Sequence, residues 1–284
     1  MDNQKTHSLD NHKIIKHRKL IQILSLLIYN ADVKNWFTGN ISRSPIKNVC
    51  VPGLNCYSCP GAISSCPLGA IQNTLTSGKL PILITGLFLL FGTLFGRAIC
   101  AFLCPVGLVQ ELIYKIPTKK KIPKTTKIET VSQKLQKTKY LFLFLTITLP
   151  LIFYFIDGFA APYFCQFICP AGTVSAGWPL VLLQKGLASS IGFLFKWKSA
   201  VAVALILWSL FSFRPFCKYI CPLGAIYSFF NKIAIFGIKV DYSKCTNCQK
   251  CTKDCKMNPK SVNSTECIRC GKCLSKCDFG ALHL

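Results

Sequence analysis

Cysteine is the residue type most able to do chemistry in this sequence, because 18 cysteines occur among 284 residues at regular spacings. Four of them begin copies of one short pattern: Cys66-Pro-Leu-Gly, Cys104-Pro-Val-Gly, Cys169-Pro-Ala-Gly and Cys221-Pro-Leu-Gly. Three copies carry a second cysteine four residues earlier, namely Cys100, Cys165 and Cys217. Thiolates are soft metal ligands. Each pair supplies half of a four-thiolate site, so two pairs are expected to meet.

The proline of this repeat has a structural reason. Proline is favoured at the first position of a helix, where its missing N–H costs nothing. The cysteine before it then lies at a helix N-terminus, whose free N–H groups and partial positive charge favour a thiolate or an anionic cluster. The glycine lets the backbone approach a bulky cofactor. The repeat therefore predicts helices that begin directly after a ligand cysteine.

Eight more cysteines form two runs in a lysine-rich C-terminal segment, and both runs have the spacing Cys-x2-Cys-x2-Cys-x3-Cys. This spacing resembles that of a bacterial two-[4Fe-4S] ferredoxin. In that family the last cysteine of each run binds the other cluster. The resemblance implies one set of Cys245, Cys248, Cys251 and Cys277, and a second set of Cys267, Cys270, Cys273 and Cys255. The family's proline after the fourth cysteine is replaced here by Lys256 and Asp278.

Long apolar runs separate the cysteine motifs. Residues 80–110 contain one charge, Arg97, and residues 140–156 and 158–184 contain none. Runs of this length match the hydrocarbon core of a bilayer, which is roughly 30 Å thick. They predict spans at residues 80–103, 140–157 and 197–213. Residues 20–37 either span or lie in the interface, with spanning favoured, and residues 178–195 are expected to be re-entrant or interfacial.

The charge distribution indicates an orientation. The net charge is +24, and the lysines and arginines gather in loops and termini, including nine lysines from Lys115 to Lys139. Cytoplasmic segments of membrane proteins carry such an excess. We therefore expect a multi-pass protein of the cytoplasmic membrane, in contact with lipid, whose C-terminal cysteine runs face the cytoplasm, where thiols stay reduced. No nucleic-acid-binding motif accompanies the charge, so nucleic acid is not an expected partner.

Topology suggests which half-sites meet on the cytoplasmic side. Cys100 and Cys104 follow one span that arrives there, and Cys217 and Cys221 follow another. Arg97 and Arg214 each lie three residues before the first cysteine of these pairs. A guanidinium there would offset the charge of a cluster, or it would anchor the span end. We assign these four cysteines to one cluster.

Six cysteines are expected on the opposite side: Cys50, Cys56, Cys59, Cys66, Cys165 and Cys169. One cluster needs four of them, and the spacing does not choose which. The other two are left as a disulfide, as free thiols or as an extension of the site. Zinc is the alternative occupant of any single set of four thiolates.

Absent residues narrow the chemistry. Histidine occurs only at His7, His12, His17 and His283, so the apolar segments cannot supply paired axial ligands and no haem is expected. No G-x-G-x-x-G pattern follows a predicted strand, so a nicotinamide site is unsupported. No nucleophile has an adjacent base. The sequence indicates an electron carrier. Glu111 is the best candidate for a proton acceptor near Cys104, but its preferred interpretation is an acid in the first turns of a helix, where it favours the N-terminus.

As a whole, the chain resembles the membrane polyferredoxins related to NapH and NosR, on motifs that run from Cys50 to Cys277. The segments predict a basic cytoplasmic tail (1–19), a helical membrane domain with about four transmembrane helices plus re-entrant or interfacial helices (20–238), and a small α+β ferredoxin domain (239–284). The cysteines predict two [4Fe-4S] clusters in the ferredoxin domain and two more in the membrane domain. The resemblance implies electron transfer between a cytoplasmic or quinone pool and a membrane or extracytoplasmic acceptor. A copper-reducing assembly protein and an iron–sulfur redox sensor are the alternative functions.

Overall fold

The computed structural model describes residues 17–42, 44–118, 126–158, 160–189 and 191–283. The predicted basic tail, apart from its last three residues, and the lysines between 119 and 125 lie outside the described residues. The described part is mostly helical, with two short strands near the C-terminal end.

The helices are labelled in chain order. They are α1 (residues 17–29), α2 (Val33–Thr38), α3 (Pro67–Thr76), α4 (Ile82–Phe95), α5 (Ala98–Phe102), α6 (Pro105–Lys115), α7 (Thr126–Leu135), α8 (Thr138–Asp157), α9 (Tyr163–Phe167), α10 (Pro170–Gly172), α11 (Trp178–Leu183), α12 (Lys185–Ala188), α13 (Phe193–Phe211), α14 (Pro222–Phe230) and α15 (Lys250–Lys253). Two π-helical turns (Thr173–Gly177 and Phe216–Ile220) and two 3-10 turns (Pro45–Asn48 and Leu274–Lys276) complete them. Strands β1 (Lys239–Val240) and β2 (Leu282–His283) pair antiparallel, Lys239 opposite His283.

Two helical stretches of the described residues are long and apolar enough to cross a membrane: Glu129–Asp157, which includes α8, and Phe193–Phe211, which is α13. The expected count of about four spans is not supported. Helix α4 has 14 residues, which cover about 21 Å at 1.5 Å per residue, less than a bilayer core. Residues 20–37 are likewise divided between α1 and α2, and each of these is shorter than α4.

Gly96 explains why the predicted span at residues 80–103 is not one helix. Its φ of +52° is a conformation that suits glycine, and it ends α4 with its N–H bonded to the carbonyl of Gly92. A Cβ at Gly92 would lie 2.6 Å from the ring of Phe230 in α14. Helix α4 therefore approaches α14 closely at this glycine.

The core brings the cysteine repeats together. Helix α8 packs against α3 and α14, and α13 packs against α6. The three shorter helices in these contacts, α3, α6 and α14, each begin at a Cys-Pro motif. The buried apolar cluster between them contains cysteines from all three motifs. The packing of the long helices therefore places the cysteine ends of the short ones in one interior.

Candidate iron–sulfur sites

All four Cys-Pro motifs begin a helix, as the sequence predicts. Cys66, Cys104, Cys169 and Cys221 are the capping residues of α3, α6, α10 and α14, and each has extended backbone angles with proline directly after it. At Cys221 the thiol sulfur accepts the backbone N–H of Gly224 at 3.5 Å. The helix N-terminus thus points its free N–H groups at the sulfur, an arrangement that favours a thiolate.

The structure brings Cys100, Cys104, Cys217 and Cys221 together, as expected; we call them the first quartet. All four are buried in the same apolar cluster. Burial, together with the neighbouring sulfurs of Cys104 and Cys100, raises the pKa of the Cys217 thiol to about 12. Burial, followed by Cys217, Cys100 and Cys104, also raises the pKa of Cys221. Four thiols that lie this close together form one potential ligand set.

Two arginines link the halves of the first quartet reciprocally. Arg97 precedes Cys100 but donates to the carbonyl of Cys217 at 3.4 Å. Arg214 precedes Cys217 but donates to the carbonyl of Cys100 at 2.7 Å. Both are fully buried. Their guanidinium groups lie against the motif glycines, with Arg214 about 3.0 Å from a Cβ at Gly107. The arginines are therefore internal to the site and not surface anchors, and the glycine makes room for one of them.

A second set of four cysteines lines one cavity of about 680 Å³: Cys56, Cys66, Cys165 and Cys169. We call it the second quartet. Burial and the sulfur of Cys56 together raise the pKa of Cys169 to about 12. Burial, with Cys169 and Cys56, likewise raises the pKa of Cys66 to about 12. A Cβ at Gly172 would lie 3.1 Å from the sulfur of Cys56. Of the six cysteines left open by the sequence, the structure gathers these four.

The two remaining cysteines, Cys50 and Cys59, do not line this cavity. The Cys50 sulfur is 3.4 Å from the hydroxyl of Ser65. Cys59 is buried beside Ser175, and its pKa is raised by burial. All of these cysteines are free thiols in the structure, so Cys50 and Cys59 do not form a disulfide.

The C-terminal cysteines also collect in two groups. Cys255 joins Cys267, Cys270 and Cys273 around a cavity of about 160 Å³, which Cys251 also touches. Burial raises the pKa of Cys251, with contributions from Cys248 and Cys277. Cys245 lies half-buried in the loop after β1. The fourth cysteine of each run thus lies near the other run, which is the exchange that the resemblance implies.

The two C-terminal runs share their backbone conformation. In the first run Asn247, Gln249 and Asn258 have positive φ. In the second run the corresponding positions are Arg269, Gly271 and Gly280, and they too have positive φ. Turns with left-handed residues direct successive N–H groups to one side and make concave sites for anions. The equal offsets indicate two equivalent loops, each shaped around its own cysteines.

Glu266 fastens the C-terminal segment to the helices. Its carboxylate accepts from Arg97 at 3.0 Å and from Lys139 at 2.5 Å. Asn231, directly after α14, donates to the carbonyls of Ser264 and Cys267. Arg97 belongs to both sites, because burial raises the pKa of Cys267 and of Cys100 and the guanidinium opposes that rise in each case.

Tyr227 lies between the two quartets. It is fully buried in α14 and donates to the carbonyl of Pro52 at 2.9 Å. Burial raises its pKa, and the sulfurs of Cys100 and Cys66 raise it further, one from each quartet. The cysteine groups are thus linked one to the next: Arg97 is close to the C-terminal cysteines and to the first quartet, and Tyr227 is close to both quartets.

Glu111 is held as an ion and does not stand free as a proton acceptor. Its carboxylate accepts hydrogen bonds from the two terminal nitrogens of Arg18, at 3.0 and 2.6 Å, and forms an ion pair with Arg214 at 2.9 Å. Burial alone would raise its pKa, but Arg214 and Arg18 bring it below the ordinary value. The glutamate therefore ties α1 and Arg214 to α6 beside the first quartet.

The geometry fits clusters better than single ions. Among the residues described, no three His, Cys, Asp or Glu side chains are close enough to hold one metal ion, whereas zinc needs four thiolates on one ion. A [4Fe-4S] cluster binds its thiolates through separate iron atoms, which spaces them more widely. The buried Nε atoms of Arg97 and Arg214, beside the first quartet, have no partner, and such donors suit the sulfides of an anionic group.

Sequence reasoning missed several groups at these sites. Arg18 pairs with Glu111, and Glu266 pairs with Arg97. In both pairs the partners are far apart in the chain, so no local sequence pattern predicts the contact. Gln72 and Gln110 were also missed, although a signal existed. Each lies six residues after the cysteine of a Cys-Pro motif, and each bonds a cysteine sulfur of another motif.

Comparison with known proteins identifies the class. Residues 77–124, 139–185 and 199–241 match the 4Fe-4S binding domain family. Each segment contains one Cys-x3-Cys-Pro motif, and the eight C-terminal cysteines lie outside the match. The chain belongs to this family of ferredoxin-type 4Fe-4S binding proteins.

Particular relatives support the resemblance drawn from the motifs. The uncharacterized protein MJ0750 of Methanocaldococcus jannaschii is 31% identical over 69% of this chain and 74% of its own length. The putative electron transport protein YccM of Escherichia coli is 29% identical over 69% of this chain and 54% of its own. The regulatory protein NosR of Pseudomonas aeruginosa is 29% identical over 58% of this chain and 21% of its own. The expected likeness to NosR-related polyferredoxins is confirmed, over part of these relatives' lengths. No solved structure matches the chain.

Proposed function

We propose that this protein is embedded in a membrane and passes electrons through four cysteine-bound [4Fe-4S] clusters. Its donor would be a cytoplasmic protein or the quinone pool, and its acceptor a redox protein in or beyond the membrane. The observation that carries the proposal is the serial arrangement of the cysteine groups. Arg97 neighbours both Cys267 and Cys100, and Tyr227 neighbours both Cys100 and Cys66.

Each cluster would have its own ligand set in the chain. The two quartets would hold one cluster each. Residues 239–284 would form a ferredoxin domain that holds two more clusters, one of them bound by Cys245, Cys248, Cys251 and Cys277. Such clusters supply reversible one-electron transfer. The chain's part is to hold the thiolates, to exclude water and to offset their charge. Arg97 and Arg214 do the last at the first quartet, and Lys47 and Lys198 line the cavity of the second.

Helix composition supports the membrane location. Residues 138–157 and 193–211 are mainly apolar, and most of these residues are not buried against the rest of the protein. Exposed leucine, isoleucine and phenylalanine side chains on α4, α8 and α13 include Leu83, Phe144 and Leu207, a surface that suits lipid and not water. The lysine-rich segment before α8 would face the cytoplasm together with the ferredoxin domain.

An apolar cavity supports a lipophilic electron carrier as partner. It has a volume of about 450 Å³ and is open on one side. Its wall includes Cys56 of the second quartet and Gln110, which bonds Cys217 of the first. Asn30 also lines it, and the buried Oδ1 of this side chain has no partner. A cavity of this size and polarity suits a small ligand with a few polar groups, and the proposal places the quinone ring there.

Cofactor content tests the proposal most directly. Protein purified without oxygen should contain about sixteen iron and sixteen sulfide ions per chain, four for each of four clusters. Iron and sulfide analysis with redox-poised EPR would measure this. A content of about eight iron ions would leave only the ferredoxin domain and would eliminate the quartet clusters. Zinc in place of iron would eliminate electron transfer altogether.

Sidedness is tested with a short epitope placed in one of two loops. An epitope between residues 119 and 137 should be protected from an external protease in intact cells, because that segment would lie inside. An epitope beside Ala161, in the loop before α9, should be cleaved. The opposite pattern would invert the orientation and put the ferredoxin domain outside.

A further inference from the structure

Two glutamines make the same set of contacts at the two quartets. Gln110, in α6, donates from Nε2 to the sulfur of Cys217 at 3.2 Å, and its Oε1 accepts the backbone N–H of Phe216 at 3.1 Å. It therefore binds the partner motif twice, once at the thiol and once at the backbone one residue before it.

Gln72 repeats this arrangement at the second quartet. In α3 it donates from Nε2 to the sulfur of Cys165 at 3.1 Å, and its Oε1 accepts the backbone N–H of Phe164 at 3.1 Å. Both glutamines are buried, Gln72 completely, and each also reaches a carbonyl one turn back in its own helix. The other two Cys-Pro motifs have Ser175 and Tyr227 at this position. Only one motif of each pair therefore carries the glutamine.

Direct N–H donors to a cluster thiolate affect its electronics. When a cluster accepts one electron, no proton moves and no bond breaks, and the added negative charge is shared with the ligand sulfurs. A hydrogen bond to an ionised acceptor is stronger than one to a neutral acceptor, and low dielectric strengthens it further. Hydrogen bonds to the sulfurs are among the factors that set the reduction potentials of these clusters.

We infer that Gln110 and Gln72 are matched tuning residues, which raise the reduction potentials of the first-quartet and second-quartet clusters through their Nε2–H···Sγ bonds. The inference rests on the proposed cluster ligation. The Oε1 bond to the neighbouring backbone N–H orients the amide, so that its NH₂ group must face the sulfur. These are positioning residues for the cofactor, and they bind no iron themselves.

The test replaces each glutamine by methionine, which has similar volume and no donor. EPR-monitored redox titration of whole protein, reduced stepwise with dithionite, should show a more negative midpoint for one membrane cluster only. Gln110→Met should shift the signal that disappears in a variant lacking Cys104 and Cys221, and Gln72→Met should shift the other. We expect about a tenfold change in the reduction equilibrium, which is about 59 mV for one electron. Each variant is the other's control.

A second readout needs no substitution. In protein labelled with nitrogen-15 at the glutamine side-chain amide, pulsed EPR should detect nitrogen coupling at both membrane clusters. Absence of coupling in the wild-type protein would overturn the inference, even if the methionine variants lost their clusters. Unchanged potentials in variants that keep their full iron content would overturn it as well. If the wild-type protein contained no membrane clusters, the proposed function itself would fail, and iron analysis would reveal this first.

Discussion

Replacing Cys104 and Cys221 together by alanine should remove one cluster and leave three. Both are ligands of the first quartet in the proposal, one from each half-site, so the remaining pair cannot hold the cluster. Iron should fall by about four ions per chain, with both C-terminal EPR signals retained. The ferredoxin domain should still accept electrons from a soluble donor. Transfer onward to a quinone analogue should stop, because this quartet is the cysteine group that adjoins the C-terminal segment.

Matched cysteine variants give this result its specificity. Replacing Cys66 and Cys165 together by alanine should remove the other membrane signal and lower the iron content by the same amount, because both cysteines line the second cavity. Cys50→Ala should remove neither signal, because Cys50 does not line that cavity and its sulfur contacts the hydroxyl of Ser65. Full iron content and full onward transfer in the Cys104 and Cys221 double variant would show that these thiols are structural.

Replacing Glu111 by glutamine should destabilise the fold severely. The change leaves Arg18 and Arg214 buried, 1% and 0% exposed, without their counter-charge. Removal of one partner from a buried ion pair costs about 3–5 kcal/mol, which corresponds to a lower thermal midpoint on the order of 10 °C for a chain of this size. Circular dichroism during heating in detergent would measure it.

The control for Glu111 is a surface pair. Asp241→Asn removes the partner of Lys244, whose side chain is 61% exposed, so the midpoint should move by no more than about 1–2 °C, because exposed pairs contribute about 0–1 kcal/mol. Equal midpoints for the Glu111 and Asp241 variants would contradict the buried network.

The contribution of Glu111 to stability depends on pH, because its pKa is lower in the folded protein than its ordinary value. This contribution is fully present at a pH above the pKa of the unfolded chain, and it is lost as the pH falls through the lower pKa of the folded protein.

Local chemistry made much of the candidate site predictable. Proline directly after cysteine favours the start of a helix, and a helix begins at each of the four Cys-Pro motifs. The equal offset of Arg97 and Arg214 pointed to one shared site, and in the structure each arginine bonds the backbone of the opposite half-site. The exchange of the fourth cysteines followed from a resemblance, because the spacing alone contains no information about which loops face each other.

The sequence was weaker on length and on distant partners. Apolar residues continue through Gly96, so composition alone gave no reason to end the span there; the positive φ at that residue is a property of the packed backbone. The choice of four cysteines among six also depended on packing. Cys56 and Cys59 are only three residues apart in the chain, but Gly172 packs against the sulfur of Cys56, and Cys56 alone of the two lines the cavity. The spacing of the cysteines contains no information about this contact.

The half-sites pair in an interleaved order, and this order constrains how the protein is made. Gln72 meets Cys165, 93 residues later, and Gln110 meets Cys217, 107 residues later, so each closed loop contains one half of the other. Such long-range closures cost chain entropy before any contact forms. During synthesis the second quartet becomes complete first, at Cys169, while the first quartet waits for Cys221. A chain truncated between them would carry one finished ligand set and one half-set. The second ligand set can therefore be assembled before the first, and any fragment that contains the whole second quartet also contains Cys100 and Cys104 of the first.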